Sequence, residues 1–559
     1  MNKLYCLVIF VVLVILSCNN SDEKYKKIDF TLETTQTTNP EITEAKINLD
    51  LSLISNEILL EINGSVFFKA TVNDKEIAQN NKGCININSS YYNSSEIIVT
   101  SYNSKLHYTI EKDDLGEGII FLTIYQKINA KELKQLISIY EKSSDGDVSS
   151  QPVFTKTKNK IFSHGKIPIL KIYTKNQCIT DSTKIISTFE LFDKKKDNKL
   201  TDNPKKTGYL KIKIRGSSSK LFPKQSYLIN SFNDSLKKDN IKLMGLPKEN
   251  EWVLYAPFVD ISLIRNVLSY KLHREMGNYS PRTRFCHLII NDEYRGIYVL
   301  TESIKVDKNR VNISELSSKD SDISGGYIIK LDKGNGKAWK SPFNAQIDTG
   351  FSKWFIYVSP NEKQLTDNQA NYIKEYITNF EKAIVENGNW KEYIDIKSFI
   401  DYQILMEVSK NVDAYRLSMY FSKDKGGLLK IEPVWDMNFT FGLTSYFDGY
   451  KTDGLMYLDK ATPFWWNCFM KDREYKMQFL SRWKELRTSV LSDKNVNGII
   501  DSNYMKLLDE VDYNALKWNT YNDKNMWRKY DHKNFKESID YIKSWTQERL
   551  KWLDNVFRE

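Results

Sequence analysis

Two carboxylates in this chain are the residues best placed to do chemistry. Asp413 stands in Asn411-Val412-Asp413-Ala414-Tyr415-Arg416-Leu417-Ser418, and Asp436 in Val434-Trp435-Asp436-Met437-Asn438-Phe439. The turn residues Gly426-Gly427 between them predict a β-hairpin, which would return both acids to one edge of a cleft. A second segment is Lys213-Ile214-Arg215-Gly216-Ser217-Ser218-Ser219-Lys220, followed by Pro223-Lys224-Gln225-Ser226-Tyr227. It reads as a strand ending in a glycine turn with three hydroxyls. Its exposed backbone N–H groups, with the cations Arg215, Lys220 and Lys224 close by, suit a chain of phosphates. Phosphoryl transfer uses such parts: one carboxylate orients the acceptor hydroxyl and another holds Mg²⁺ against the phosphates. Residue types alone leave other roles open. Asp413 also fits a helix cap, Asp436 the end of a strand, Arg215 the partner of a core carboxylate, and Lys224 a solvated strand position.

The elements that must position these residues follow from periodicity. Strands are predicted at Pro168 to Tyr173, Leu210 to Gly216, Phe285 to Asn291 and Gly296 to Thr301, with a charged, mobile hairpin at Asp193 to Asn203. Ile261, Ile264, Leu268 and Leu272 recur at helical spacing and end near Gly277. Beyond Asp367 the pattern turns helical, at Ala370 to Glu386, Ile396 to Val408, Tyr475 to Leu486 and Asn534 to Phe557. Pro463-Phe464-Trp465-Trp466 reads as helix-packing core and Arg265-Asn266 as structural. From Ile47 to Tyr125 short alternating runs broken by Asn, Gly and Asp suggest a small sandwich. A short helix is expected at Glu132 to Lys142, and Ser143 to Ser150 reads as a linker.

Composition narrows the chemistry. The 559 residues are 41% hydrophobic and 13% aromatic, enough to build a core. Five His and six scattered Cys form neither Cys-x-x-Cys nor His-x-x-x-His, so a metal here is expected to be a hard cation on oxygen ligands. The net charge of +10 is spread along the chain, which speaks against nucleic acid as a partner and suits anionic substrates.

At the N-terminus, Lys3, the apolar run Leu4 to Leu16 and then Ser17-Cys18 make a leader too short to span a bilayer. It resembles a bacterial lipoprotein signal in which Cys18 is lipidated and becomes the first mature residue. The acidic stretch after it resembles the export tag of Bacteroidetes surface lipoproteins. A lipid anchor in the cell envelope, at the outer membrane and surface-exposed, is the expectation. The remaining Cys84, Cys178, Cys286 and Cys468 are read mostly as buried small hydrophobes.

From about Pro168 onward the sequence resembles the CotH kinase family, atypical protein kinases named for a spore-coat protein. The markers, besides the segments above, are Trp252-Val253-Leu254-Tyr255-Ala256-Pro257 with Asp260 and Arg265-Asn266, Asn291-Asp292-Glu293-Tyr294-Arg295-Gly296-Ile297-Tyr298 with Glu302, and Gly325-Gly326-Tyr327-Ile328. The resemblance implies an α+β fold: an atypical two-lobed protein-kinase-like body with a helical C-terminal region, after a small β-rich, sandwich-like domain. The corresponding division is 1–17 leader, 18–46 polar tether, 47–150 β-rich domain and linker, and 151–559 kinase-like domain. It also implies ATP and Mg²⁺ as cofactors, Asp413 as the catalytic-loop Asp, Asp436 as the metal-binding Asp, and Arg215, Lys224 and Glu302 at the nucleotide. The family commonly has a second metal ligand, Asn, five positions after the catalytic Asp. Ser418 stands there instead, with Asn438 as a further oxygen donor if a strand points it the same way as Asp436. The implied activity is transfer of the ATP γ-phosphate to a Ser or Thr hydroxyl of an envelope or surface protein. The alternative is a non-catalytic surface lipoprotein, an adhesin or scaffold on a degenerate kinase fold that binds a partner or glycan.

Overall fold

The computed structural model describes residues 162–558, apart from 176, 196, 335, 344–352, 460, 523, 524 and 526, and the backbone of strands lying between residues 6 and 142. Cys18 and the linker at 143–150 lie outside the described residues. The fold mixes helices and sheets, as an α+β chain should. Two compact units divide the residues, one of 1–160, 174–185 and 212–223 and the other of 161–173, 186–211 and 224–559.

In the first unit the strand backbone between residues 6 and 142 forms a five-stranded and a four-stranded sheet. Lys131–Lys142 is one of these strands, paired with Ile120–Ile128, where a helix was expected at Glu132 to Lys142. Alternating Ile137 and Ile139 and a ready partner strand outweigh the helix-favouring Lys, Glu and Leu of that run. The Arg215 segment belongs to this unit. Ile214 N–H donates to Thr180 O at 2.7 Å and Lys220 is ion-paired with Asp181.

The second unit is built on a closed barrel of seven strands: β1 (Ile169–Tyr173), β2 (Ile185–Phe192), β3 (Lys206–Arg215), β4 (Ser226–Phe232), β5 (Glu251–Tyr255), β6 (Thr283–Ile290) and β7 (Glu293–Glu302). Ile185 of β2 and residues 212–215 of β3 are counted in the first unit. Strands β6 and β7 are joined by a tight turn in which Asn291 and Asp292 take the left-handed conformation such short-side-chain residues tolerate. The segment Asp193 to Asn203, expected to be mobile, is tied down. Asn198 is fully buried and its amide donates to the carbonyls of Gly165, Lys166 and Ile167. A buried amide has to find acceptors, and here they fasten the hairpin to the strand start.

A second sheet pairs β8 (Tyr327–Lys333) with β9 (Lys353–Ser359) on one side and β10 (Met419–Lys423) on the other, all antiparallel. β10 also pairs with Leu429–Lys430, which is the hairpin expected between the two aspartates. Helix α1 (Arg265–Glu275) precedes this sheet; α2 (Asp367–Val385) and α3 (Ile396–Ser409) lie between its strands in sequence. Then follow α4 (Trp465–Lys471), α5 (Arg473–Arg487), α6 (Asp493–Leu507), α7 (Val511–Trp518) and α8 (Phe535–Val556). Side chains start several of them. Thr366 and Gln369 form a capping box at α2, and Asp395, Asp472, Ser492 and Asn534 cap α3, α5, α6 and α8.

One continuous hydrophobic core runs from α1 through the second sheet to α8. Trp465 and Trp466 are fully buried in it, stacked against Phe355 and Tyr402, so the aromatic cluster is core as expected. Among the described residues Cys286 is buried, as expected, whereas Cys178 and Cys468 are only partly so. No helix among them is long and apolar enough to cross a membrane.

Candidate functional site

Asp413 sits on a loop that begins where α3 stops. Lys410 ends the helix in the left-handed conformation, φ 44°, and the chain reverses. Asn411 then organises the turn, its Oδ1 accepting the N–H of Asp413 at 3.0 Å and its backbone O that of Ala414 at 3.0 Å. Tyr415 and Ser418 also have positive φ, 66° and 51°. Such conformations cost about 1 kcal/mol or more each for non-glycine residues and persist where the surroundings over-determine them.

The surroundings here are buried ionic contacts. Beneath the loop, Glu407 and Arg549 are both fully buried and paired at 3.3 Å. Glu407 accepts the Tyr415 hydroxyl at 2.9 Å and the backbone N–H groups of Met456 and Tyr457 at 2.9 Å each. Arg549 donates to the carbonyls of Glu407, Thr452 and Gly454. Lys410, whose pKa burial lowers to about 8, donates to Lys451 O and Asp453 O. Beyond these carbonyls a cavity of 390 Å³ opens between residues 450–453 and α8, lined by Tyr450, Tyr530, Tyr541 and Trp545.

The Asp413 carboxylate is mostly buried and receives Arg416 Nη2 at 2.9 Å on Oδ1. Arg416 is itself fixed by Val412 O at 2.8 Å and by the Tyr446 hydroxyl at 3.2 Å, and it lies over the ring of Phe447. Burial pushes the Asp413 carboxyl above the usual carboxylate range; Arg416 and Lys333 oppose that rise and Asp332 adds to it.

The Asp436 segment runs directly alongside. Val412 N–H donates to Phe439 O at 3.4 Å, Asn411 Nδ2 approaches Met437 Sδ at 3.2 Å, and Phe441 N–H donates to Ser409 O at 2.8 Å. The hairpin of β10 explains this: antiparallel pairing returns the chain to the level from which it left. Residues 431–438 are not a strand, and Asp436 is exposed with φ 59°, so the strand geometry on which the alignment of Asp436 with Asn438 depended is absent. Arg265 holds the far end of the segment. It is ion-paired with buried Asp260 and donates from Nε to Thr440 O at 2.8 Å and from Nη2 to Phe441 O at 3.2 Å. The hydroxyl of Tyr255 is pushed well above its ordinary pKa by burial and by the nearby charges of Asp260 and Asp436.

Asn438 Oδ1 is buried and has no hydrogen-bond partner among the described residues. A buried acceptor without a donor calls for an absent partner, and an amide oxygen two residues from a carboxylate has the chemistry of a hard-cation ligand. No group of three or more His, Cys, Asp or Glu among the described residues is arranged to hold a metal. A Mg²⁺ ion here would have to be held by mixed oxygens, carboxylate, amide and hydroxyl, and not by a carboxylate cluster.

The other expected site residues have these places. Ser418 Oγ lies 3.5 Å from Asp332 Oδ2. Lys224 is buried, not a solvated strand residue; its Nζ donates to Ile297 O at 2.7 Å and Asn514 Oδ1 at 2.8 Å, and burial lowers its pKa to about 7. Glu302, 1% exposed, accepts from the Arg282 guanidinium, from Arg282 N–H at 2.9 Å and from the Tyr279 hydroxyl at 3.4 Å. Arg215 is partly buried in the first unit. Sequence reasoning missed Asp332, Glu407 and Arg549. The first alternates with Lys330 on a strand without any motif; the last two are 142 residues apart, and no local pattern joins them.

Residues 212–553 match a family model described as CotH kinase protein. Inner spore coat protein H of Bacillus subtilis (strain 168) is 23% identical over 237 residues, which are 41% of this chain and 58% of that protein.

Proposed function

Since the chain belongs to the CotH kinase family and is in that sense kinase-like, we propose that it transfers the γ-phosphate of ATP to a Ser or Thr hydroxyl of an envelope or surface protein. The observation that carries this reading is the juxtaposition of the Asp413 loop with the Asp436 segment through Val412 N–H and Phe439 O, with Asn438 Oδ1, which has no partner among the described residues, beside it.

In this reading Asp413 orients the acceptor hydroxyl and takes its proton. Arg416 occupies Oδ1 and burial raises the basicity of the carboxylate, both of which serve a general base. Asp436, with the oxygens of Asn438 and Ser418, would hold Mg²⁺, which would supply neutralisation of charge on the phosphates. Arg265 fixes the stretch 440–441 through its carbonyls and so keeps Asp436 at its place. Lys224 acts as a structural amine of the barrel and Glu302 through Arg282 on the loop at Asn309. Anchoring through a lipid on Cys18 would place this body at the envelope; metabolic labelling with radioactive palmitate, lost in Cys18→Ala, tests it.

The test of the main reading is thermal unfolding of the full chain with millimolar ATP and Mg²⁺. A ligand that binds only the folded state stabilises by RT ln(1 + [L]/Kd), about 2.7 kcal/mol at one hundred times Kd. A Mg²⁺-dependent rise in midpoint that Asp436→Ala removes is expected. No rise at all would leave the non-catalytic reading, which the replacement of the usual Asn by Ser418 favours.

A further inference from the structure

We propose that Asp332 is a positioning residue of this site, acting on the metal through the Ser418 hydroxyl; the inference rests on the nucleotide and Mg²⁺ reading above. Antiparallel pairing sets Leu331 of β8 opposite Met419 of β10, and the next step along that register brings Asp332 opposite Ser418. Ser418 Oγ lies 3.5 Å from Asp332 Oδ2. The same oxygen is ion-paired with Lys330 Nζ at 3.1 Å, from two residues back on the same face of β8. The other oxygen, Oδ1, accepts the backbone N–H of Lys333 at 2.8 Å. Both carboxylate oxygens are thus held before Ser418 is considered.

A hydroxyl has one hydrogen to donate and lone pairs to offer. With its hydrogen directed at Asp332, the Ser418 oxygen is left to act as an acceptor or ligand, and a carboxylate behind it makes it a better electron donor. Carboxylates behind metal ligands have this effect generally, and their loss typically weakens metal affinity about 10- to 100-fold. The left-handed conformation of Ser418, φ 51°, fits a residue whose direction is imposed by its surroundings. Asp332 also lies close enough to Asp413 to act on its charge, so one strand end reaches the segments of both candidate roles.

The experiment is a titration of the full chain with Mg²⁺ at fixed non-hydrolysable ATP analogue, read by calorimetry. Asp332→Asn is expected to weaken Mg²⁺ about 10- to 100-fold while the unfolding midpoint without metal stays near that of the parent. Ser418→Ala should weaken Mg²⁺ similarly, and the double variant should be no weaker than Ser418→Ala alone, because one residue acts through the other. Asp332→Glu should recover part of the affinity. Unchanged Mg²⁺ affinity in Asp332→Asn, or losses that multiply in the double variant, would overturn the assignment. A parent chain that binds neither the analogue nor Mg²⁺ would instead remove the reading beneath it.

Discussion

Arg416 Nη2 donates to Asp413 Oδ1 at 2.9 Å, three residues along the same loop, and among the described residues no donor reaches Oδ2. One oxygen of the carboxylate is fixed, and in the proposed reaction the other would take the substrate proton. Burial and this arginine pull the carboxyl in opposite directions, and burial prevails, so the carboxylate is more basic than that of an ordinary aspartate.

Asp413→Asn is therefore expected to lower phosphoryl transfer by about 10²- to 10⁴-fold, the usual share of a positioned base. Stability provides the independent check. Because the folded pKa of Asp413 is raised, ionising it costs more in the folded than in the unfolded chain. The cost sets in as pH rises from the ordinary value, about 3.9, through the raised one, and it is absent below both. Comparing urea unfolding of parent and variant at pH 7 and at low pH should show the variant gaining at neutral pH relative to acid. An equal difference at both pH values would contradict the burial account.

Arg265→Lys keeps the charge opposite Asp260 but gives up the forked donation to Thr440 O and Phe441 O. Mg²⁺-dependent stabilisation by ATP should weaken severalfold as the Asp436 segment loosens. Retained metal affinity alongside a lowered unfolding midpoint would limit Arg265 to a role in stability.

Lys224 gives a pH signature of its own. Its folded pKa, about 7, lies below its unfolded value, so the folded state prefers the neutral amine. Stability from this group is fully present above the unfolded pKa, near 10.4, and falls as pH drops until the folded pKa is passed. Lys224→Met should flatten the stability of the chain between pH 10 and pH 7, as followed by denaturant midpoints. A slope as steep as the parent's would show that the ammonium is not desolvated as its two neutral acceptors imply.

Ser418→Asn restores the residue usual at this position in the family. It should tighten Mg²⁺ binding, since an amide oxygen is the better donor to a hard cation. Unchanged or weaker affinity in the same calorimetric titration would take residue 418 out of the metal shell.

The loops and hairpin around the two aspartates were legible because their signals are local. Gly426-Gly427 turns the hairpin, the apolar period of Ile396 to Val408 makes α3, and Phe535 to Phe557 makes α8. Local pattern also misled. The Lys131–Lys142 strand carries helix-forming residues, and the charged insert at Asp193 looked mobile because nothing near it in sequence shows what Asn198 will bind.

By itself the sequence determined the residue types that can move a phosphate, the turn that returns Asp436 toward Asp413, and the family to which those motifs belong. Only the tertiary structure decided what each charged group does. Burial and partners set that: Lys224 becomes a buried amine of lowered pKa between two carbonyl-type oxygens, Glu302 the buried partner of Arg282, and Glu407 with Arg549 the floor under a strained loop. Such roles depend on the dielectric and on groups hundreds of residues away in the chain, and no run of neighbouring residues encodes either.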